Sequence, residues 1–227
     1  MLHRRAAQGA GLAAALLAAA CGVPEQKVVD QYFGALNAKD TQTLSSFAAV
    51  SLDTKGKRVD KWTITNAGAE KREPAPLPDL VKKMKDADAA LANHTKAWNA
   101  YKLDHYADLE KVRDLLKTNA KIPANLSAVA AEYDRVNQAD RDLKRALAEA
   151  RDAVEKEKRN VALSLGALDN LESLTGDMLS KQLDLALSVG GEAQNYQMTL
   201  RKYEMGGSDQ GPRPMSRWVI YGLQPAS

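Results

Sequence analysis

The chain is poor in several things at once. It has one cysteine, three histidines and only 5% aromatic residues among 227. A single cysteine excludes an intramolecular disulfide, so the fold stands on packing alone. Three histidines leave little for a metal centre or a catalytic base. No apolar run reaches the roughly 20 residues that a membrane-spanning helix needs. Charge of one sign is lacking too: 32 Lys and Arg stand against 29 Asp and Glu. A balance this even argues against a general electrostatic binder of nucleic acid. The sequence contains no Gly-rich phosphate loop, no Gly-x-Ser-x-Gly elbow and no zinc-protease helix motif. What it does have is length for one or two domains with an ordinary core.

The N-terminus reads as an export signal. Met1-Leu-His-Arg-Arg5 is a basic start. Gly11 to Ala20 is a short apolar run, and Cys21-Gly22 follows it. A basic stretch, an apolar stretch and small residues at a cut site mark a signal peptide. Ala19-Ala20-Cys21 resembles the lipobox of bacterial lipoproteins, whose cysteine is acylated and becomes the new N-terminus. The resemblance implies removal of residues 1–20 and lipid attachment at Cys21. The other reading is an ordinary signal followed by a free or buried cysteine. Removing residues 1–20, which hold Arg4 and Arg5 and no acid, leaves 30 basic against 29 acidic side chains. The resemblance also implies an exported protein, anchored to the cell membrane or outer membrane and facing the periplasm or cell surface. Gly22 after the cysteine favours the outer membrane in a double-membraned cell.

Composition divides the rest into a head in two parts, 21–74 and 192–227, and a middle, 75–191. The middle is rich in Ala, Leu and charged residues. It opens after the stiff break Pro74-Ala-Pro76-Leu-Pro78. Leu80, Met84, Ala87, Leu91, His94, Trp98, Tyr101 and His105 recur at spacings of four and three. After a slip the series continues through Leu109, Val112 and Leu116. It resumes beyond Pro123 through Leu126, Val129, Tyr133, Val136, Asp140, Leu143, Leu147, Ala150, Val154, Glu157 and Val161. This is a heptad seam, and the short link predicts two antiparallel helices paired as a coiled-coil hairpin arm. From Pro78 to Thr118 such an arm is ~60 Å long. The second helix can run on to Val189, with Gly190-Gly191 as its stop and Leu165 to Val189 packed on the head, and Gly166 and Gly176 offer an earlier break or kink.

Eight of the 12 aromatic residues fall in the two head parts. Val28 to Leu36 has a helical apolar face. Trp62-Thr-Ile64-Thr and the run from Tyr196 to Arg201 alternate as strands do. Arg217 to Leu223 reads as a central, buried strand, and Gly206 to Pro214 as a loop before it. Val29 to Leu44, followed by strands and a late Trp218-Val-Ile strand, resembles the nuclear transport factor two-like superfamily. That resemblance implies a helix-plus-sheet head whose concave sheet holds an apolar molecule or a lipid. The fold class expected is α+β, mostly α overall: a small head with an antiparallel sheet, interrupted by the helical arm.

Two groups of candidate site residues follow. Tyr32, Trp62, Tyr196 and Trp218 are the head aromatics that would face a ligand, or else simply make a small core. His94, Trp98, Tyr101 and His105 form a patch on the arm that would meet a partner or fix register, as polar seam residues do. His94 and His105 lie ~16 Å apart along one helix, too far to share a metal ion. No metal or cofactor is expected. The arm's charges mix in sign, as on a solvated helix face. The reading is a non-enzymatic, lipid-anchored envelope protein that acts as a scaffold or accessory subunit through its arm. It holds the membrane through acylated Cys21 and takes a protein partner or a second copy, not nucleic acid. The alternative is a small-ligand lipoprotein that uses the head aromatics.

Overall fold

The computed structural model describes residues 25–206 and 215–226. The signal, Cys21 and most of the Gly206 to Pro214 loop lie outside the described residues. Of those described, 54% are helical and 26% lie in strands, an α+β arrangement. Helix α1 spans Gln26–Ala38 and buries Val29, Tyr32, Phe33 and Ala35, the stripe that its three-and-four spacing predicts. Lys39 ends it in a left-handed turn, and α2, Thr41–Phe47, follows at once. Asp40 caps α2 by accepting the Thr43 N–H at 2.9 Å. The hydrogen bonds from Thr43 hold the Asp40 carboxyl below the usual range.

Five strands form one antiparallel sheet: β1 (Val59–Ala67), β2 (Lys71–Pro74), β3 (Thr175–Val189), β4 (Glu192–Gly206) and β5 (Val219–Pro225). The order is β1-β3-β4-β5, and β2 pairs with β3 beyond the end of β1. The register sets Leu183 opposite Met198 and Met178 opposite Tyr203. Side chains alternate across a sheet, so these two pairs point to opposite faces. On the first face Leu183, Leu185, Leu187, Met198 and Leu200 pack under Val29, Tyr32, Phe33, Leu44 and Phe47 of α1 and α2. Fully burying a Leu or Phe side chain contributes about 1.5–3 kcal/mol, which makes this cluster the anchor of the head. On the second face Met178, Tyr203 and Met205 pack with Leu77, Val81, Val154, Val161 and Leu165.

Those last residues come from three helices between β2 and β3: α3 (Leu77–Asp104), α4 (Tyr106–Lys117) and α5 (Ser127–Leu165). Their contacts follow a simple order. Val81 packs with Val154 and Val161 near the sheet. Asp88 pairs with Arg151 at 3.2 Å. Trp98 lies 6.2 Å from Tyr133. Leu109 and Val112 cluster with Leu126 and Val129. Position numbers fall along α5 as they rise along α3 and α4, so the helices run in opposite senses. Val112, Val129, Val136, Leu147, Val154 and Val161 are buried.

Four sequence expectations are corrected. The second long helix ends at Leu165, not Val189. Gly166, at φ +87°, turns the chain out of the helix, and residues 175–189 form β3, the strand with which β1, β2 and β4 all pair. Its inward residues are Leu183, Leu185, Leu187 and Val189, a period of two that wins over the looser spacing of three and four. Gly190-Gly191 is accordingly a two-residue hairpin turn between β3 and β4, with φ +57° and +84°. The first long helix is broken at His105, whose φ of −120° and ψ of 22° leave the helical region. Finally, β5 is an edge strand and not a central one. Its start is nonetheless buried, because Ala49 N–H bonds Ile220 and Arg217 ties its approach to Leu163 and Ser46.

Candidate functional site

The head aromatics are members of one core cluster. Tyr32 is fully buried. Its hydroxyl accepts the Leu52 N–H at 2.8 Å and donates to the Val50 carbonyl at 3.3 Å, clamping the segment after α2. Burial raises its pKa. Trp62 is half-buried on β1, 5.3 Å from the Phe33 ring, and its indole N–H donates to Asp30 at 2.7 Å. Tyr196 is half-buried on β4 and donates to the Gln194 amide oxygen at 3.1 Å. Trp218 is half-buried before β5, with the Lys202 ammonium 5.9 Å from its ring centre. All four touch the cluster beneath α1 and α2.

The helical patch is drawn together differently. Trp98 and Tyr101 stack at 5.6 Å and 16°, and Tyr101 lies 4.2 Å from His105. Tyr133 of α5 joins from the other side. Such aromatic pairs are worth about 0.5–1.5 kcal/mol beyond area burial. His94 is one turn away, and its Nε2 is buried without a hydrogen-bond partner among the described residues. The structure thus groups Trp98, Tyr101 and His105 and leaves His94 apart from them.

Sequence reasoning missed what the break at His105 does. It restarts the helix at Tyr106, and a cleft of about 270 Å³ opens between α3–α4 and α5. Trp98, Lys102, Tyr106, Arg113, Tyr133 and Asn137 border it. Tyr106 is 67% exposed and Leu103, on the turn before the break, is 83% exposed. Single exposed apolar side chains are common on protein surfaces, and the point here is that Tyr106 borders the cleft beside Trp98 and Tyr133. The only sequence signal was the slip in spacing after His105. Lys102 lies 5.9 Å from the Trp98 ring centre and Arg113 is held by Glu110 at 2.8 Å, so the rim is polar and charged. Aromatic residues within a polar rim are the usual make-up of a protein-contact patch.

A second polar centre lies where α5 meets β4. Tyr203 donates to Glu157 at 2.6 Å, and Asn160 donates to the same carboxylate at 3.1 Å. Ser164 accepts the Tyr203 N–H and donates to the Arg217 carbonyl. Glu157, Asn160 and Ser164 are all buried. Burial, then the Glu157 carboxylate, push the Tyr203 hydroxyl far above its usual range. The arrangement locks the root of α5 to the sheet. Among the described residues no group of three or more His, Cys, Asp or Glu side chains is placed to hold a metal ion, and no helix is long and apolar enough to cross a membrane.

No known protein family, curated protein or solved structure matches the chain.

Proposed function

We propose that this is a non-catalytic, lipid-anchored protein of the cell envelope, acting as a scaffold or accessory subunit through its helices. In this reading Cys21 carries the acyl chains, and two or three chains hold the protein on the membrane. Helices α3, α4 and α5 form an antiparallel coiled-coil arm rooted on the sheet by Tyr203 and Glu157. The head is of the nuclear transport factor two-like kind, a reading supported by two opening helices packed on an antiparallel sheet.

The observation that carries the proposal is the aromatic cleft at the helix break, with Tyr106 and Leu103 exposed far along the helices from the sheet. A pair of helices buries one seam and leaves the rest of its surface open to a further protein. The partner is a protein or a second copy of this chain. The head aromatics support the small-ligand alternative less well, because Tyr32 is fully buried and the Trp62 N–H is already engaged by Asp30.

Tagged full-length protein, purified from its native membranes with mild detergent, tests the reading. A stoichiometric partner, or a dimer, is expected with the wild type and is lost with the Trp98→Ala, Tyr106→Ala double variant. Retention of the same partner by a folded double variant overturns the cleft as the contact.

A further inference from the structure

The second face of the sheet holds a site unrelated to the helical cleft. β1 ends at Ala67 opposite Leu183, and β2 begins at Lys71 opposite Ser180. Three residues, 68–70, therefore stand opposite two, 181 and 182, and the ladder is interrupted there. Only the Gly68 N–H still reaches Gln182. The gap opens a cleft of about 220 Å³, bordered by Lys71, Glu73, Ser180, Gln182, Thr199 and Arg201.

The register explains why these side chains converge. Ser180 pairs with Arg201 and Gln182 with Thr199, so all four point to the same face. Lys71 and Glu73 join them from β2, opposite Ser180 and Met178. The helices cover this face only around Met178, Tyr203 and Met205. Beyond them the polar stretch is left open.

Arg201 is the unusual member. Its guanidinium lies 3.4 Å from the ring centre of Tyr221, and its Nε is buried with no hydrogen-bond partner among the described residues. No ion pair to Arg201 occurs among the described residues, although Lys202 beside it and Arg72 each hold Glu204. Glu73 borders the same cleft without an ion pair to Arg201, and the buried Glu157 carboxylate is already engaged by the Tyr203 hydroxyl. A guanidinium half removed from water, stacked and without a carboxylate, is costly to leave unpaired. Stacking on Tyr221 also fixes its plane, and a fixed fork suits bidentate contact with an oxyanion.

We infer that this cleft binds the carboxylate of a small monoanionic molecule, through Arg201 with the hydroxyls of Ser180 and Thr199 beside it. Lys71 and Arg201 supply two positive charges and Glu73 one negative, a net charge of +1 across the opening. Lys181 also borders it, but its ammonium is held by Glu25 at 2.7 Å on the opposite face. That balance fits a monoanion, and Glu73 repels a phosphate dianion. The site is independent of the helices' proposed partner.

Thermal melting of the full chain in detergent, at constant ionic strength with chloride replaced by acetate or inorganic phosphate, tests the assignment. A ligand that binds only the folded state raises the melting temperature in a saturable way. Acetate is expected to do so and phosphate to do so less. Arg201→Gln is expected to abolish the response, and Ser180→Ala with Thr199→Ala to weaken apparent affinity by on the order of tenfold. The hydroxyl variant lies on the open face and keeps the test usable if Arg201→Gln does not fold. No saturable response to acetate, a stronger response to phosphate, or an unchanged response in the hydroxyl variant overturns the assignment.

Discussion

The Tyr203 hydroxyl donates to the Glu157 carboxylate at 2.6 Å inside the joint between α5 and β4. This contact explains how a 39-residue helix is held at one end by a small sheet. Tyr203→Phe leaves a buried carboxylate oxygen without its donor, at a cost of about 1–3 kcal/mol. Urea unfolding is expected to show that loss, with Asn160 still satisfying part of the carboxylate.

The same contact predicts alkaline behaviour. The folded pKa of Tyr203 lies above the ordinary tyrosine value of 10.0, through burial first and the hydrogen bond to Glu157 second. The folded state therefore holds this proton more tightly than the unfolded chain does. The resulting stability is complete below about pH 10 and is lost as the pH rises above it. Tyr32 is raised in the same direction by burial. Tyrosinate absorbance is expected to show residues that ionise only as the protein unfolds. Tyr203→Phe and Tyr32→Phe should each remove one of them, and their survival in both variants contradicts the assignment.

The strand β3 makes a prediction that separates it from a continued helix. Leu183 is fully buried in the head core, whereas Leu168 is 36% exposed in the link after α5. Leu183→Ala should cost about 2–5 kcal/mol, a core truncation that leaves a cavity. Leu168→Ala should stay within about 0.5 kcal/mol, as surface changes do. Equal effects in chemical denaturation would contradict the strand.

That strand also shows where the sequence was ambiguous. Leu168, Leu171, Leu174, Met178, Leu183 and Leu187 fit a helical stripe well enough to extend α5. The competing run Leu183, Leu185, Leu187, Val189 has period two, and only pairing with β1 and β4 decides between them. Gly190-Gly191 suits a helix stop and a hairpin turn alike. The run Trp218-Val-Ile-Tyr suits a central strand, and Val219 and Ile220 are indeed buried, but helices and the segment after α2 do that burying, not a further strand. By contrast, α1, β1 and the helical spacing of α3 and α5 were legible, since each repeats a single period over its length. The stacked Trp98, Tyr101 and His105 share a helix face, so spacing alone places them together. The opening beside Tyr106 depends on one residue, His105, leaving the helical region. The Arg201 cleft joins residues of three strands across an interrupted ladder, which no local pattern encodes.

The proposed anchor has its own test. Mass spectrometry of the mature N-terminal peptide should find Cys21 as the first residue with two or three acyl chains. Each buried methylene contributes about 0.8 kcal/mol, so Cys21→Ser should move the protein out of the membrane fraction. Unmodified Cys21 in a membrane-bound protein would contradict lipid anchoring at this residue.

Site-specific photocrosslinking in the native membrane addresses the central claim most directly. A photoreactive residue replaces Tyr106 at the helical cleft or, in a separate protein, Gln42 on the exposed side of α2. The account predicts a single dominant adduct from position 106, absent from position 42 and lost when Trp98→Ala is added. Adducts of equal yield from both positions, or a dominant adduct from position 42 alone, would contradict a protein that works through its helices.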